Sequence, residues 1–455
     1  MKSPSRRKFL KNAATAGALI RFPTIVPIKV IAGNGRFMPN DRVNIGMIGC
    51  GSIADYFHRR NLKRVENARV VATCDAFQKR ADEMASRYNN DYAAKVCTPN
   101  RDFREVLARE DVDAVIIAAH DNWHTPMSIA AVRAGKDVYC QKPLALDYSQ
   151  TPILREAVKE NDRVFQFGTQ YRSQGRYRKM VELVRNGYIG ELKHIDVWAR
   201  NVHNDADKYH VAPYGSTQEV PVPDGFDFDI WQGPSLMAPY TVDRCTNWGG
   251  FHCPETSLGF LAGCGIHPLG VAQWGNRSDH TSPIHYEGTG NLPNEGIYRT
   301  LEYWDMHCRY ENGVTLRLMD AMAAEKVVSR YHEKPWKSGD GVVFHGTEGW
   351  IGEICGGFQA SDRRLWKMEL KASDEKLPVS REHNQNFVDC VISREETMCP
   401  VEMAIRCDAI CHLTRAAALT GKPVDWDPVK EQVVGNTNAA QMLGPQAHRP
   451  EWQIW

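Results

Sequence analysis

From residue 42 onward, short apolar runs alternate with amphipathic stretches. The nearly continuous apolar run VNIGMIG (43–49) reads as a strand buried on both faces, followed by a helical period over 52–64. The same pairing recurs with RVVATCD (69–75) and a helix over 78–88. A helix over 101–109 precedes the strand DAVIIAA (113–119), and a helix over 125–133 stops at Ala134-Gly135. A strand at 138–141, a helix over 149–160 and a strand at 164–167 complete the series. Strands and helices in turn at this spacing predict a parallel sheet covered on both faces. After Gly168 the rhythm changes to a helix over 174–185, a longer alternating strand over 192–200, and a loop-rich region over 201–300. Strands return at 302–310, 314–319 and 341–345, the first two joined by Glu311-Asn312-Gly313, a hairpin turn signal. They predict a large, mainly antiparallel sheet in a second domain, closed by one helical stretch over 384–420 and a polar tail.

Composition narrows the partners. The chain has 455 residues, enough for two packed domains, and 56 basic against 55 acidic residues leave a net charge of +1. Neither nucleic acid nor a membrane surface is an expected partner. The 13 cysteines include no C-x-x-C pair and no H-E-x-x-H is present, so no metal site is expected. Cys407 and Cys411, one turn apart in a helix, read as buried apolar thiols. The first forty residues stand apart from the fold. SRRKFLK (5–11) followed by the mild apolar stretch 13–20 resembles a twin-arginine export signal, which predicts a periplasmic or exported protein, cytoplasmic if the leader does not function. Arg21, Pro23, Pro27 and Lys29 interrupt any apolar run long enough to span a membrane.

The first chemical motif is Gly49-Cys50-Gly51-Ser52-Ile53-Ala54, a G-x-G-x-x-A between a buried strand and a helix, with Asp75 at the end of the next strand. In that context it predicts a Rossmann dinucleotide-binding domain: Gly49 for the tight turn, Gly51 for close approach to a pyrophosphate, free N–H groups at the helix start. Asp75 is placed to accept from the adenine ribose hydroxyls, and Ala76 follows it in place of Arg or Ser, which favours NAD over NADP. The expected architecture is thus α/β. It comprises a leader (1–38), the Rossmann domain (39–168), an α+β domain with the large, mainly antiparallel sheet (169–425) and a tail (426–455).

The second motif is KDVYCQKPLALD (136–147). Lys142 stands at the carboxyl end of a parallel strand, where such sheets bind ligands, and an ammonium there can donate to a substrate hydroxyl. The local reading leaves it open against a lysine snorkelling over the sheet edge. The stretch 43–51, AHDNWH (119–124), AGKDVYCQKPLALD (134–147), GTQYR (168–172), NGYIGEL (186–192), WQGP (231–234) and WDP (426–428) together resemble the Gfo/Idh/MocA oxidoreductases, the group that includes glucose–fructose oxidoreductase and inositol dehydrogenase. The family hallmark Glu-Lys-Pro reads Gln141-Lys142-Pro143 here. The resemblance implies that Lys142 is the catalytic lysine near the nicotinamide, and that His120, Asn122, Trp123, His124 and Gln141 line the cofactor site.

It also implies that His267, in Gly263-Cys264-Gly265-Ile266-His267-Pro268-Leu269-Gly270, is the acid/base that shuttles the substrate proton. Family members carry aspartates four residues before and three after this histidine; here Gly263 and Gly270 occupy those positions. Asp227 and Asp229 are the candidates to replace them. Tyr171 and Arg172 should face the cleft between the domains, and Trp198, His203, Tyr214, Trp231, Tyr240, Trp248 and His252 offer aromatic edges suited to a sugar or polyol. The expected activity is NAD-dependent oxidation at a secondary alcohol of such a substrate. If the chain is exported without a free NAD pool, a retained cofactor that returns to its starting redox state follows, either by oxidising one sugar and reducing another in turn, as in the glucose–fructose oxidoreductase type, or by redox-neutral transient oxidation, as in NAD-dependent glycosidases or epimerases. The missing aspartates motivate a third reading, a non-catalytic NAD- and sugar-binding protein. Large sheets in this family often pair through exposed faces, so a homo-oligomer is the expected assembly.

Overall fold

The computed structural model describes residues 42–201, 214–246, 249–331 and 339–455. The leader, His203 and Trp248 lie outside the described residues. Six strands, β1 (Val43–Ile48), β2 (Ala68–Cys74), β3 (Thr98–Asn100), β4 (Ala114–Ile117), β5 (Asp137–Cys140) and β6 (Phe165–Phe167), form one sheet in the order β3-β2-β1-β4-β5-β6. Every pair in it is parallel. This is the doubly wound Rossmann order, whose ligand crevice opens where β1 and β4 part. The central strands are apolar throughout because helices cover both faces: Ile45, Val70, Ile116 and Val138 are fully buried.

The second sheet has nine strands. They are β7 (Leu192–Ala199), β8 (His285–Asn291), β9 (Tyr303–Arg309), β10 (Thr315–Asp320), β11 (Gly341–Gly346), β12 (Trp350–Ile354), β13 (Gly357–Ala360), β14 (Val424–Asp427) and β15 (Gln432–Val434), in the order β13-β12-β11-β7-β10-β9-β8-β14-β15. All pairs are antiparallel except β7 with β10. Alternation decides its two faces. Ile195, Val197, Leu316, Leu318 and Phe344 point into the core, while His194, Asp196, Arg317 and Asp305 lie on the other face. The helices Ile266–Gly275 and Val401–Thr420 are apolar nearly all round and lie in the core against the inner face.

Three boundaries differ from the pattern reading. The stretch expected as one helix over 384–420 is two, His383–Ser393 and Val401–Thr420, because the polar segment after Arg394 (φ 64°) and then Pro400 break it. The helix expected from residue 125 starts at Asp121, with Pro126 inside it. The residues read as a tail carry the end of β14, all of β15, the helix Thr437–Leu443 and a turn, Pro450–Trp452, whose Trp452 is buried. Among the described residues, no helix is long and apolar enough to cross a membrane.

Candidate active site

The crevice at the carboxyl end of the parallel sheet is a cleft of about 150 Å³. Gly49 starts it. At φ +88°, a Cβ here would lie 2.4 Å from the Ala118 carbonyl oxygen, so only glycine lets β1 turn under the end of β4. Gly51, Ser52 and Ile53 line the cleft as the chain enters its helix. Cys50 turns inward, its thiol 3.5 Å from the Cys74 carbonyl oxygen, and contributes its backbone N–H to Asp75 Oδ2 at 2.8 Å. Phe77 N–H donates to the other oxygen, Oδ1, at 2.8 Å. Burial pushes the Asp75 carboxyl up, and these two N–H donors hold it back. With two bonds made, the carboxylate keeps acceptor sites for ribose hydroxyls. The glycine turn, the helix start and this anchored acceptor fit a dinucleotide. Arg80 and Arg101 line the same end.

The opposite wall is assembled from distant pieces. Trp123 Nε1–H donates to the Ile230 carbonyl at 2.8 Å, and Trp231 sets its ring edge-on to His120, 4.7 Å between centroids. Gly233 permits this: at φ +56°, a Cβ would lie 2.2 Å from the Trp123 ring. Trp452 packs on Trp123 at 90° and 5.5 Å, and Arg449 donates to the Gly233 carbonyl and pairs with Asp229. Asp121 opens its helix on the cleft floor, 3% exposed, and accepts a short hydrogen bond from Ser257 Oγ. Burial pushes its carboxyl up to about 7, against the pull of the Ser257 hydroxyl and the Lys142 charge.

Lys142 leaves the end of β5 and donates from Nζ to the Gly263 carbonyl at 2.5 Å, with its ammonium 5.3 Å from the Phe251 ring centroid. Phe251 also lines the dinucleotide cleft. Gly263 closes the short helix Phe260–Gly263, and His267 sits at the start of the next helix. His267 Nδ1 meets Thr169 Oγ1 at 3.2 Å, and its ring stacks on Tyr171, 5.0 Å between centroids. Burial first, and then the Lys142 cation, push the imidazole well below the usual histidine range, so it stands neutral. The carboxylates expected to orient it are replaced by a hydroxyl. A Cβ at Gly270 would lie 3.4 Å from Thr169 Oγ1, so the threonine occupies the space an aspartate would enter.

The arrangement matches two family models. The model for the NAD-binding Rossmann fold of the Gfo/Idh/MocA oxidoreductases fits residues 43–169, and that for their C-terminal alpha/beta domain fits residues 175–454. The chain belongs to the Gfo/Idh/MocA oxidoreductase family. Myo-inositol 2-dehydrogenase of Thermotoga maritima is 31% identical over 35% of this chain and 46% of its own length. A glycosyl hydrolase family 109 protein of Shewanella baltica is 32% identical over 42% of this chain and 44% of its own. The chain thus spans less than half the length of these curated relatives. The crystal structure of myo-inositol 2-dehydrogenase from Lactobacillus plantarum superposes with a TM-score of 0.59 at 17% identity, covering 84% of this chain and 99% of that one, a likeness of fold.

Several residues of this Gfo/Idh/MocA chain stand elsewhere than the sequence suggested. Asn122 turns from the cleft, donating to the Gln232 carbonyl at 2.8 Å and to Ser235 Oγ at 3.1 Å. His124 is buried between the Pro143 and Ala119 carbonyl oxygens, at 2.5 and 3.1 Å. Arg172 does not face the cleft: it is 3% exposed, ion-paired with Asp279 at 2.5 Å and bonded to the Gly270 carbonyl. Trp231 lines the dinucleotide cleft and not a separate sugar site. Trp198 and His252 belong to the core. Asp227 caps its own helix and pairs with Arg101 at 3.3 Å, and Asp229 pairs with Arg449, so neither replaces the absent aspartates.

Gln141 lies under Lys142 and not in the cleft. Its Nε2–H donates to His58 Nε2 at 2.9 Å, which places the proton on His58 Nδ1, 2.8 Å from Asn384 Oδ1. Burial pushes His58 down to about 3, so the whole chain of groups is neutral. Sequence reading missed Asp121, Thr169 and Ser257 as site groups. The first two lie inside AHDNWH and GTQYR, stretches noted for the family likeness.

Proposed function

We propose that the protein is an NAD-dependent oxidoreductase acting at a secondary alcohol carbon of a sugar, sugar derivative or polyol, with Lys142 and His267 as its proton-handling residues. The observation that carries this is that Lys142 donates to the Gly263 carbonyl, four residues before a neutral His267, and lies beside Phe251, a wall of the dinucleotide cleft. A nicotinamide bound in that cleft supplies the hydride acceptor. Lys142 donates to the alcohol oxygen and favours its alkoxide character as the hydride leaves. His267, with Nδ1–H directed to Thr169 Oγ1, offers Nε2 as the base for the hydroxyl proton. The inositol 2-dehydrogenase relative supports a polyol as substrate class. Asp75 supports NAD over NADP, since a carboxylate repels a 2′-phosphate.

The leader containing Arg6-Arg7 supports export by the twin-arginine route, with the cofactor carried inside the folded protein. A second reading has its own support in the glycosyl hydrolase family 109 relative and in a His267 without a carboxylate partner: transient oxidation followed by elimination or epimerisation and re-reduction. One experiment separates the two. The protein is purified without added cofactor, its NAD and NADH are quantified after denaturation, and inositols, aldoses and glycosides are then supplied while NADH absorbance and products are followed. Net NADH formation supports the dehydrogenase. An equimolar retained cofactor with product but no net NADH supports the redox-neutral route. Any activity unaffected by both Lys142→Met and His267→Ala overturns both readings.

A further inference from the structure

Asp121 and Trp123 line the dinucleotide cleft, but Asn122 between them reaches Ser235, which lines a second cavity of about 290 Å³. Its charged lining is Asp147, Glu255 and Arg415, with His412 and His448. Two of the three charges are satisfied within the chain. Asp147 Oδ2 pairs with His448 at 2.7 Å and accepts the Gln446 N–H, and Glu255 pairs with Arg244 at 2.8 Å. Arg415 is different. It projects from the helix Val401–Thr420, is partly buried, and makes no ion pair or hydrogen bond with any described residue. Burial alone lowers its basicity, and no carboxylate restores it. Other buried arginines of this domain all have partners: Arg172 has Asp279, Arg406 has Glu402 and Arg449 has Asp229. A second polar atom of the cavity lining, His448 Nδ1, is also buried without a partner.

A partly buried guanidinium without an ion-pair partner has lost part of its hydration, which an anion in the cavity would compensate. Its planar fork matches a carboxylate or phosphate bidentately. Leu236, Leu258 and Met442 add an apolar wall to the same cavity. We propose that this cavity binds a small oxyanion, the carboxylate or phosphate group of a metabolite, held by Arg415 with its carbon skeleton against Leu236, Leu258 and Met442. The site is separate from the dinucleotide cleft and stands whether or not the reaction proposed above is correct. His412, beside Arg415, meets the Ala145 carbonyl at 3.1 Å, in the segment that leads from Lys142.

Isothermal titration of the full-length protein, at constant ionic strength with NAD present, would use inorganic phosphate, succinate and chloride. Saturable binding of phosphate or succinate, but not chloride, is expected; the tighter of the two identifies the group. Arg415→Gln should weaken it at least about tenfold, Arg415→Lys less, with NAD binding unchanged in both. Leu236→Asp, at a residue 55% exposed and therefore tolerant of change, should also weaken it by placing a like charge at the rim. No binding of either oxyanion up to about 20 mM, an affinity too weak to be specific, overturns the proposal. So does Arg415→Gln binding like wild type. A change of oligomeric state in Arg415→Gln with no anion bound by wild type overturns it too, because a second copy's carboxylate would then be the partner.

Discussion

At the dinucleotide end of the cleft, Gly49, Gly51, Ser52 and Asp75 come from one strand–helix–strand unit, and the bonds that fix Asp75 run to Cys50 and Phe77 within it. At the end for which we propose proton handling, Lys142 follows β5, Thr169 follows β6, and Gly263 and His267 come from the second domain, while Asp121 is met by Ser257. The first end is local and its residues have few substitutes. The second is a meeting of separate segments, so a lost group can be replaced by whatever stands nearby. Thr169 faces His267 at the place where Gly270 offers no side chain.

The sharpest way to separate the two ends is Lys142→Met. Turnover should fall by about 10³-fold or more, with NAD affinity unchanged as read by fluorescence titration. Loss of NAD binding would show that the ends are one unit. Gly49→Ala inverts the test: a Cβ 2.4 Å from the Ala118 carbonyl at φ +88° should weaken NAD binding by about 100-fold and lower the melting temperature. Gln141→Glu probes the support beneath Lys142. A carboxylate facing neutral His58 should cost about 2–3 kcal/mol in urea unfolding, and Gln141→Met less.

Asp121→Asn tests the missed carboxyl by pH. Its folded value of about 7 lies above the usual aspartate range, so the native state binds the proton more tightly than the unfolded chain. Stability from this group is full at low pH and falls as pH rises from about 4 to 7. Asp121→Asn should remove that slope and be more stable than wild type by about 1–3 kcal/mol above pH 7. Any acidic limb near pH 7 in the rate profile should vanish with it, since His267 is already neutral there. The smallest effect is expected of Thr169→Val, about a tenfold loss of turnover with NAD binding intact, if its hydroxyl orients His267.

The same division governs what could be read from the sequence. The parallel sheet was legible because its strands are apolar runs set off by amphipathic helices, and the dinucleotide end because its spacing is local. β3 escaped because Thr98–Asn100 is a three-residue edge strand containing Pro99 and carries no apolar signal. Arg172 looked like a cleft residue because the partner that buries it, Asp279, stands 107 residues away. Asp121 was overlooked because the helix was expected only from residue 125, which left the aspartate in a loop, and because Ser257, which meets it, stands 136 residues away. Nothing in the composition of residues 426–455 reveals that Trp452 has a place reserved against Trp123.

That last contact sets an order of events in biosynthesis. Trp123 and the helix Phe228–Gln232 both form the cleft wall, and both are clamped by Arg449 and Trp452. A nascent chain with its whole first domain outside the ribosome still has an unfinished cofactor cleft, its indole edge bare until residue 452 emerges. The finished dinucleotide cleft therefore requires residues 449–452 to be in place against the first domain, so its wall is completed only by chain that follows the second sheet.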